Sequence, residues 1–145
     1  MRLLDTNILS QLDPARGSRD ADLIQWMDRN GGSLFLSVMT LTEIENGILK
    51  LRRKGASQRA AALSAMLAAV MARFADRILP MDVKVALRVA ELNDFAHPVT
   101  IELADLIIAA TASVHDLTVL TRNLRHFTPL GVKAINPLAG LPERP

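Results

Sequence analysis

The chain has 145 residues, a formal net charge of +2, and 50% hydrophobic against 22% charged residues. It is long enough for one domain with its own core, too apolar for a disordered tail, and too weakly charged overall for nucleic-acid binding to be read from average charge. With no cysteine it excludes disulfides, thiolate metal sites and cysteine nucleophiles, and with no tyrosine and 3% aromatics its composition argues against a sheet that stacks bases on aromatic rings.

A cytoplasmic setting is expected. MRLLDTNIL meets an aspartate too early for the apolar core of a signal peptide, and LIIAATASV is far short of the roughly 20 residues of a membrane span. MRLLD is predicted to be a short buried strand, and Asp5, Thr6 and Asn7 then suit a helix start, where their side chains accept from free backbone amides. PARGSRD predicts a loop and DLIQWMDRN a helix. After Gly31 and Gly32, SLFLSV is rich enough in bulky apolar residues for a second strand.

In TLTEIENGILKLRRK, Thr40 and Glu43 have the spacing of a capping box, and Ile44, Ile48 and Leu51 follow at helical intervals. The alanine-rich SQRAAALSAMLAAVMARFADR predicts a long helix, with a short strand before Pro80, and MDVKVALRVAELNDFA a further amphipathic helix. HPVT breaks the pattern. ELADLIIAATASVHD then predicts a nearly wholly apolar helix and LTVLT a β-branched strand, followed by one possible edge strand ahead of the Pro- and Gly-rich tail.

Buried strands alternate with helices, and no strand alternates polar with apolar residues. That pattern predicts an α/β protein with a parallel sheet covered by helices on both faces. We expect a single domain over residues 1–137 and a Pro- and Gly-rich surface extension over 138–145.

In such open sheets ligands collect beyond the carboxyl ends of the strands. Asp5 directly follows the first strand, Glu43 lies shortly beyond the second, and Asn123 follows LTVLT. Asp105 sits in LADLIIAATA among apolar neighbours, where an ionised carboxylate is costly unless paired or bound to a cation. Three carboxylates without cysteine make a hard-oxygen donor set, suited to Mg2+ or Mn2+ rather than zinc or copper.

Each residue also has a structural explanation. Asp5 with Asn7 can cap a helix, Glu43 can serve Thr40, and Asp105 can be a first-turn acid favoured by the helix dipole. Thr121 and Asn123 can close a turn, and His126 beside Phe127 suits packing or capping better than catalysis. The basic run Lys50, Arg52, Arg53, Lys54 and Arg59 suits a solvated helix end, or an approach for RNA if it faces the acids. Trp26 suits the core better than a partner seam.

LLDTNIL, TLTEIENGI, ADLIIAATA and VLTRN, in that order and at these separations, resemble the VapC-type toxins of the PIN-domain ribonuclease family, over most of the chain. The resemblance implies a three-layer α/β/α sandwich about a mostly parallel sheet. It also implies an Mg2+- or Mn2+-dependent endoribonuclease, usually a homodimer, silenced by a cognate antitoxin. By matching position, Asp5, Glu43 and Asp105 are similar to the family's metal-binding acids, and Asn7 and Thr121 to its supporting polar residues. Asn123 stands where many relatives have a fourth acid; its amide brings no charge for a second metal, so a one-metal site gains ground.

Arg122 and Arg125 are placed to touch phosphate or to stand in solvent. Two rivals remain: a DNA-directed or structure-specific nuclease with the same site, and a non-catalytic metal- or nucleic-acid-binding regulatory module. A phospho-receiver would need an acid after FLSVM and a lysine after LTVLT, and neither is present. Nor does a P-loop or GxGxxG follow any candidate strand.

Overall fold

The computed structural model describes residues 1–143. Five strands form one sheet: β1 (Arg2–Leu4), β2 (Leu34–Ser37), β3 (Ile78–Leu79), β4 (Thr118–Leu120) and β5 (Ala134–Ile135). Their order is β3-β2-β1-β4-β5, and every pairing is parallel. Arg2 stands beside Leu34 on one side and Thr118 on the other, which fixes the register at the centre of the sheet.

Seven helices cover this sheet: α1 (Thr6–Leu9), α2 (Ala21–Arg29), α3 (Val38–Arg53), α4 (Ser57–Phe74), α5 (Val83–Ala96), α6 (Leu103–Val114) and α7 (Leu124–Phe127). Alternate residues of each strand point to opposite faces, and the core divides accordingly. Leu4, Leu34, Leu36 and Leu120 pack with side chains of α1 to α4, including Ile8, Trp26, Ile48 and Phe74. Leu3, Val119 and Phe35 pack with α5, α6 and α7 through Val85, Ile108 and Phe127. The expected three-layer α/β/α arrangement is therefore present, and the apolar strands lack polar alternation because both of their faces are buried.

The helix starts follow local chemistry. Asp20 and Asp82 cap α2 and α5, accepting from the amides of Leu23 and Val85 at 2.8 and 3.0 Å. The expected capping box of Thr40 and Glu43 is not formed. The helix begins three residues earlier, where Ser37 Oγ accepts from the Met39 amide at 3.1 Å, so Thr40 lies inside α3 and its buried hydroxyl has no hydrogen-bond partner among the described residues.

The basic residues Lys50, Arg52 and Arg53 do end α3, complementing its carbonyl terminus. Among the described residues no helix is long and apolar enough to cross a membrane.

Beyond β5 the chain turns back over the first core half. Leu138 packs against that cluster, the Trp26 indole N–H donates to the Pro142 carbonyl at 3.0 Å, and Arg2 Nη2 donates to the Glu143 carbonyl at 2.6 Å. The segment expected as a surface extension is thus bonded to the sheet's covering layer as far as Glu143, and its last two residues lie outside the described ones.

Candidate functional site

The connections from the sheet set the site. From β1 the chain proceeds outward through β2 to β3, whereas β4 and β5 lie on the other side of β1. The direction of winding reverses between β1 and β4, and such a reversal opens a crevice at the strands' carboxyl ends. Asp5 follows β1 and Thr121 follows β4, and the Asp5 amide donates to the Leu120 carbonyl at 3.0 Å, holding the two strand ends together.

Asp5 is 4% exposed. Its Oδ1 accepts from the Thr6 amide at 2.7 Å, and its Oδ2 from Asn7 Nδ2 and Thr121 Oγ1, each at 2.6 Å. Asn7 braces both sides of the crevice: Nδ2 also reaches Thr121 Oγ1 at 3.2 Å, and Oδ1 accepts from the Arg122 amide at 3.1 Å. Thr121 Oγ1 in turn accepts from the Asn123 amide at 2.9 Å. The DTN and TRN segments are therefore two halves of one hydrogen-bonded bracket.

Glu43, on the second turn of α3, accepts from Thr6 Oγ1 at 2.6 Å. Asp105, in the first turn of α6, lies 2.8 Å from His126 Nδ1 on α7. A pocket of about 400 Å³ gathers these groups, lined by Asp5, Thr6, Asn7, Ser10, Glu43, Glu102, Ala104, Asp105, Asn123 and His126.

Four of these side chains are carboxylic acids and none is lysine or arginine. Burial pushes the Asp5 carboxyl above its ordinary range, with Asp105 adding repulsion, against the bonds from Thr121, Thr6 and Asn7, which favour the ionised form. Burial likewise raises Glu43, and repulsion from Asp5 and Asp105 adds to it despite the Thr6 hydroxyl. The pocket thus concentrates negative charge that the protein itself does not neutralise.

All the predicted acids, with Asn7 and Asn123, reach this pocket. Thr121 stands just behind Asp5, fully buried. The side chains of Arg122 and Arg125 are exposed and outside the pocket wall; only the backbone N–H of Arg122 takes part. Of the basic run, Arg59 is paired with Asp13 and none of its members lines the pocket.

Sequence reading missed two members. Glu102, just ahead of α6, was not weighed, although it lies three residues before Asp105 at the same helix start. His126 was read as a packing residue, yet its place one turn beyond Asn123 turns it toward the acids.

Larger clefts exist elsewhere, but neither gathers several unpaired acids; that of about 560 Å³ between α3 and α4 carries Glu45 alone. In the cleft of about 480 Å³ beside α5, Arg88 pairs with Glu91 and Lys133 with Asp116.

A hard divalent cation fits this donor set, because it supplies the positive charge that the buried acids lack. Among the described residues no three His, Cys, Asp or Glu side chains already converge closely enough to encircle one ion. Asp5, Glu43 and Asp105 are instead turned to local partners.

Fold and site together define an α/β protein with an acid-lined pocket at the carboxyl end of a parallel sheet, a donor set suited to a hard cation. The chain belongs to the PIN-domain family, whose model matches residues 2–129. It is 34% identical to toxin FitB of Neisseria gonorrhoeae, over 94% of this chain and 98% of that protein. It is 31% identical to VapC ribonuclease Y4jK of Sinorhizobium fredii, over 94% and 97%. The crystal structure of FitAcB from Neisseria gonorrhoeae superposes with a TM-score of 0.79 at 34% identity, covering 95% of this chain and 99% of that one.

Proposed function

We propose that this chain is the toxin of a type II toxin–antitoxin pair, an endoribonuclease that hydrolyses RNA phosphodiester bonds with a divalent cation, Mg2+ or Mn2+. The observation that carries the reading is the pocket of Asp5, Glu43, Glu102 and Asp105 with no lysine or arginine among the described residues of its wall. Its supports are membership of the PIN-domain family and relatives named as a toxin and as a ribonuclease. The cognate antitoxin, a homodimeric assembly, a cytoplasmic setting and a single catalytic domain over residues 1–137 belong to the same reading.

Asp5, Glu43 and Asp105 would hold the cation, with Asn123 at the rim as a neutral hydrogen-bonding group. The bound ion would polarise the phosphodiester and lower the pKa of an attacking water. Asn7 and Thr121 keep Asp5 fixed, and Thr6 ties Glu43 to the same helix start. Arg122 and Arg125, exposed beside the pocket, are the candidates for contact with the RNA backbone.

The test is cleavage of RNA by the purified chain. Activity should require Mg2+ or Mn2+, stop with chelator, and fall at least 100-fold in Asp5→Asn and Asp105→Asn while their far-ultraviolet circular dichroism matches the parent. Folded variants that still cut RNA would refute the assignment.

A further inference from the structure

Among the described residues His126 is the only basic side chain in the pocket wall, and the proposed chemistry leaves it without a task. The three metal-holding candidates are secured differently. Asp5 has three donors on its two oxygens, and Glu43 has the Thr6 hydroxyl. For Asp105 the single protein partner among the described residues is His126, whose Nδ1 meets Oδ2 at 2.8 Å. Oδ1 is left without a protein donor.

Facing a carboxylate, which only accepts, Nδ1 must carry the proton. The bond is sheltered: the side chain of Asp105 is 17% exposed and that of His126 33%. It also spans two elements. Asp105 rides on α6, while α7 is tied to the Asp5 bracket through the Asn123 amide on Thr121 and through the His126 amide on the Asn123 carbonyl at 2.9 Å.

We propose that His126 is a positioning residue of the cation site: its Nδ1–H fixes Asp105 Oδ2 and leaves Oδ1 for the ion, coupling Asp105 to the Asp5 bracket through α7. This rests on the metal-site reading above. A role for Nδ1 as a metal ligand is disfavoured, because that nitrogen is already engaged with Asp105 Oδ2. Partners that orient a metal-holding carboxylate typically change affinity by about 10- to 100-fold when removed.

The experiment is Mn2+ titration of the full chain, followed by the electron paramagnetic resonance signal of free Mn2+ and by calorimetry, for the parent and for His126→Ala, His126→Gln and His126→Asn. The Asn amide nitrogen lies near the place of Nδ1, whereas that of Gln lies near the place of Nε2. Expected is a weakening of about 10-fold or more for Ala and Gln, with binding within about threefold of the parent for Asn. Each variant's melting temperature in chelator is followed alongside.

Parent-like affinity in His126→Ala overturns the inference and leaves the metal site standing. Retention by Gln with loss in Asn also overturns it, since the other nitrogen would then act on the ion. A parent chain that binds no Mn2+ overturns the metal-site reading itself, and this inference with it.

Discussion

Glu43 is held in its charged form at a cost. Burial and the neighbouring Asp5 and Asp105 raise its carboxyl above the ordinary value, so the folded chain binds that proton more tightly than the unfolded one. A raised folded-state pKa contributes stability that is complete below the unfolded value and is lost as pH rises through the folded one. Asp5 behaves in the same direction. In chelator, the parent should therefore gain stability from Glu43 and Asp5 as pH falls from 7 toward 5. Glu43→Gln, which keeps an acceptor for Thr6 Oγ1, should melt higher than the parent at pH 7. Millimolar Mg2+ or Mn2+ should raise the parent's melting temperature and raise that of the variant less; a variant that melts lower in chelator would show that the charge is already compensated. Thr121 tests the opposite term. It is fully buried, donates to Asp5 at 2.6 Å and accepts from the Asn123 amide. Thr121→Val should lower the unfolding free energy in urea by about 2 kcal/mol, the scale of a lost hydrogen bond to a charged group.

At the level of elements, α3 shows where local signals compete. Ser37 and Thr40 are both plausible caps, and the Thr40 to Glu43 spacing favours the later start by pattern alone. The chain takes the earlier one, because β2 ends at Ser37 and the first turn of α3 must lead directly away from the sheet. Glu43 is thereby freed from capping and turned to Thr6. Thr40 is left fully buried with an unpaired hydroxyl. Thr40→Val, of nearly the same shape, should be neutral or more stable by up to about 1 kcal/mol in urea unfolding, whereas a genuine cap would lose about 1 kcal/mol on substitution. Ser37→Ala should show that loss. The other strands and long helices were legible, because apolar runs bounded by Asp, Gly and Pro mark elements whatever their partners. Glu102 and His126 were not, since their roles depend on how α6 and α7 are set against each other, a relation between elements that periodicity within one element does not carry.

For the whole molecule, the parallel sheet was legible because burial on both faces removes polar residues from every strand, while the strand order was not, since pairing depends on contacts distant in sequence. The tail was the least legible part. Its Pro and Gly content reads as a surface extension, yet its bonds use backbone carbonyls, which leave no trace in residue type. Arg2 lies over the Trp26 ring at 5.3 Å and donates to Glu143, while the indole donates to Pro142. The end of the chain thus closes over its beginning, across the half of the core that packs on α1 to α4. Trp26 is the sole tryptophan of the chain and is 8% exposed, so its fluorescence in the folded chain responds to loss of this closure. Removing residues 139–145 deletes both carbonyl acceptors but keeps Leu138 against the core. The truncated chain should show red-shifted tryptophan emission and a loss of about 2 kcal/mol in urea unfolding, from two hydrogen bonds at about 1 kcal/mol each. Because Trp26 lies in the α1 to α4 half of the core and the acid pocket sits at the carboxyl end of the sheet, Mn2+ affinity should be unchanged. An emission maximum and stability equal to the parent's would mean that the tail only lies on the surface, while a fall in Mn2+ affinity would mean that it also braces the sheet end that carries Asp5.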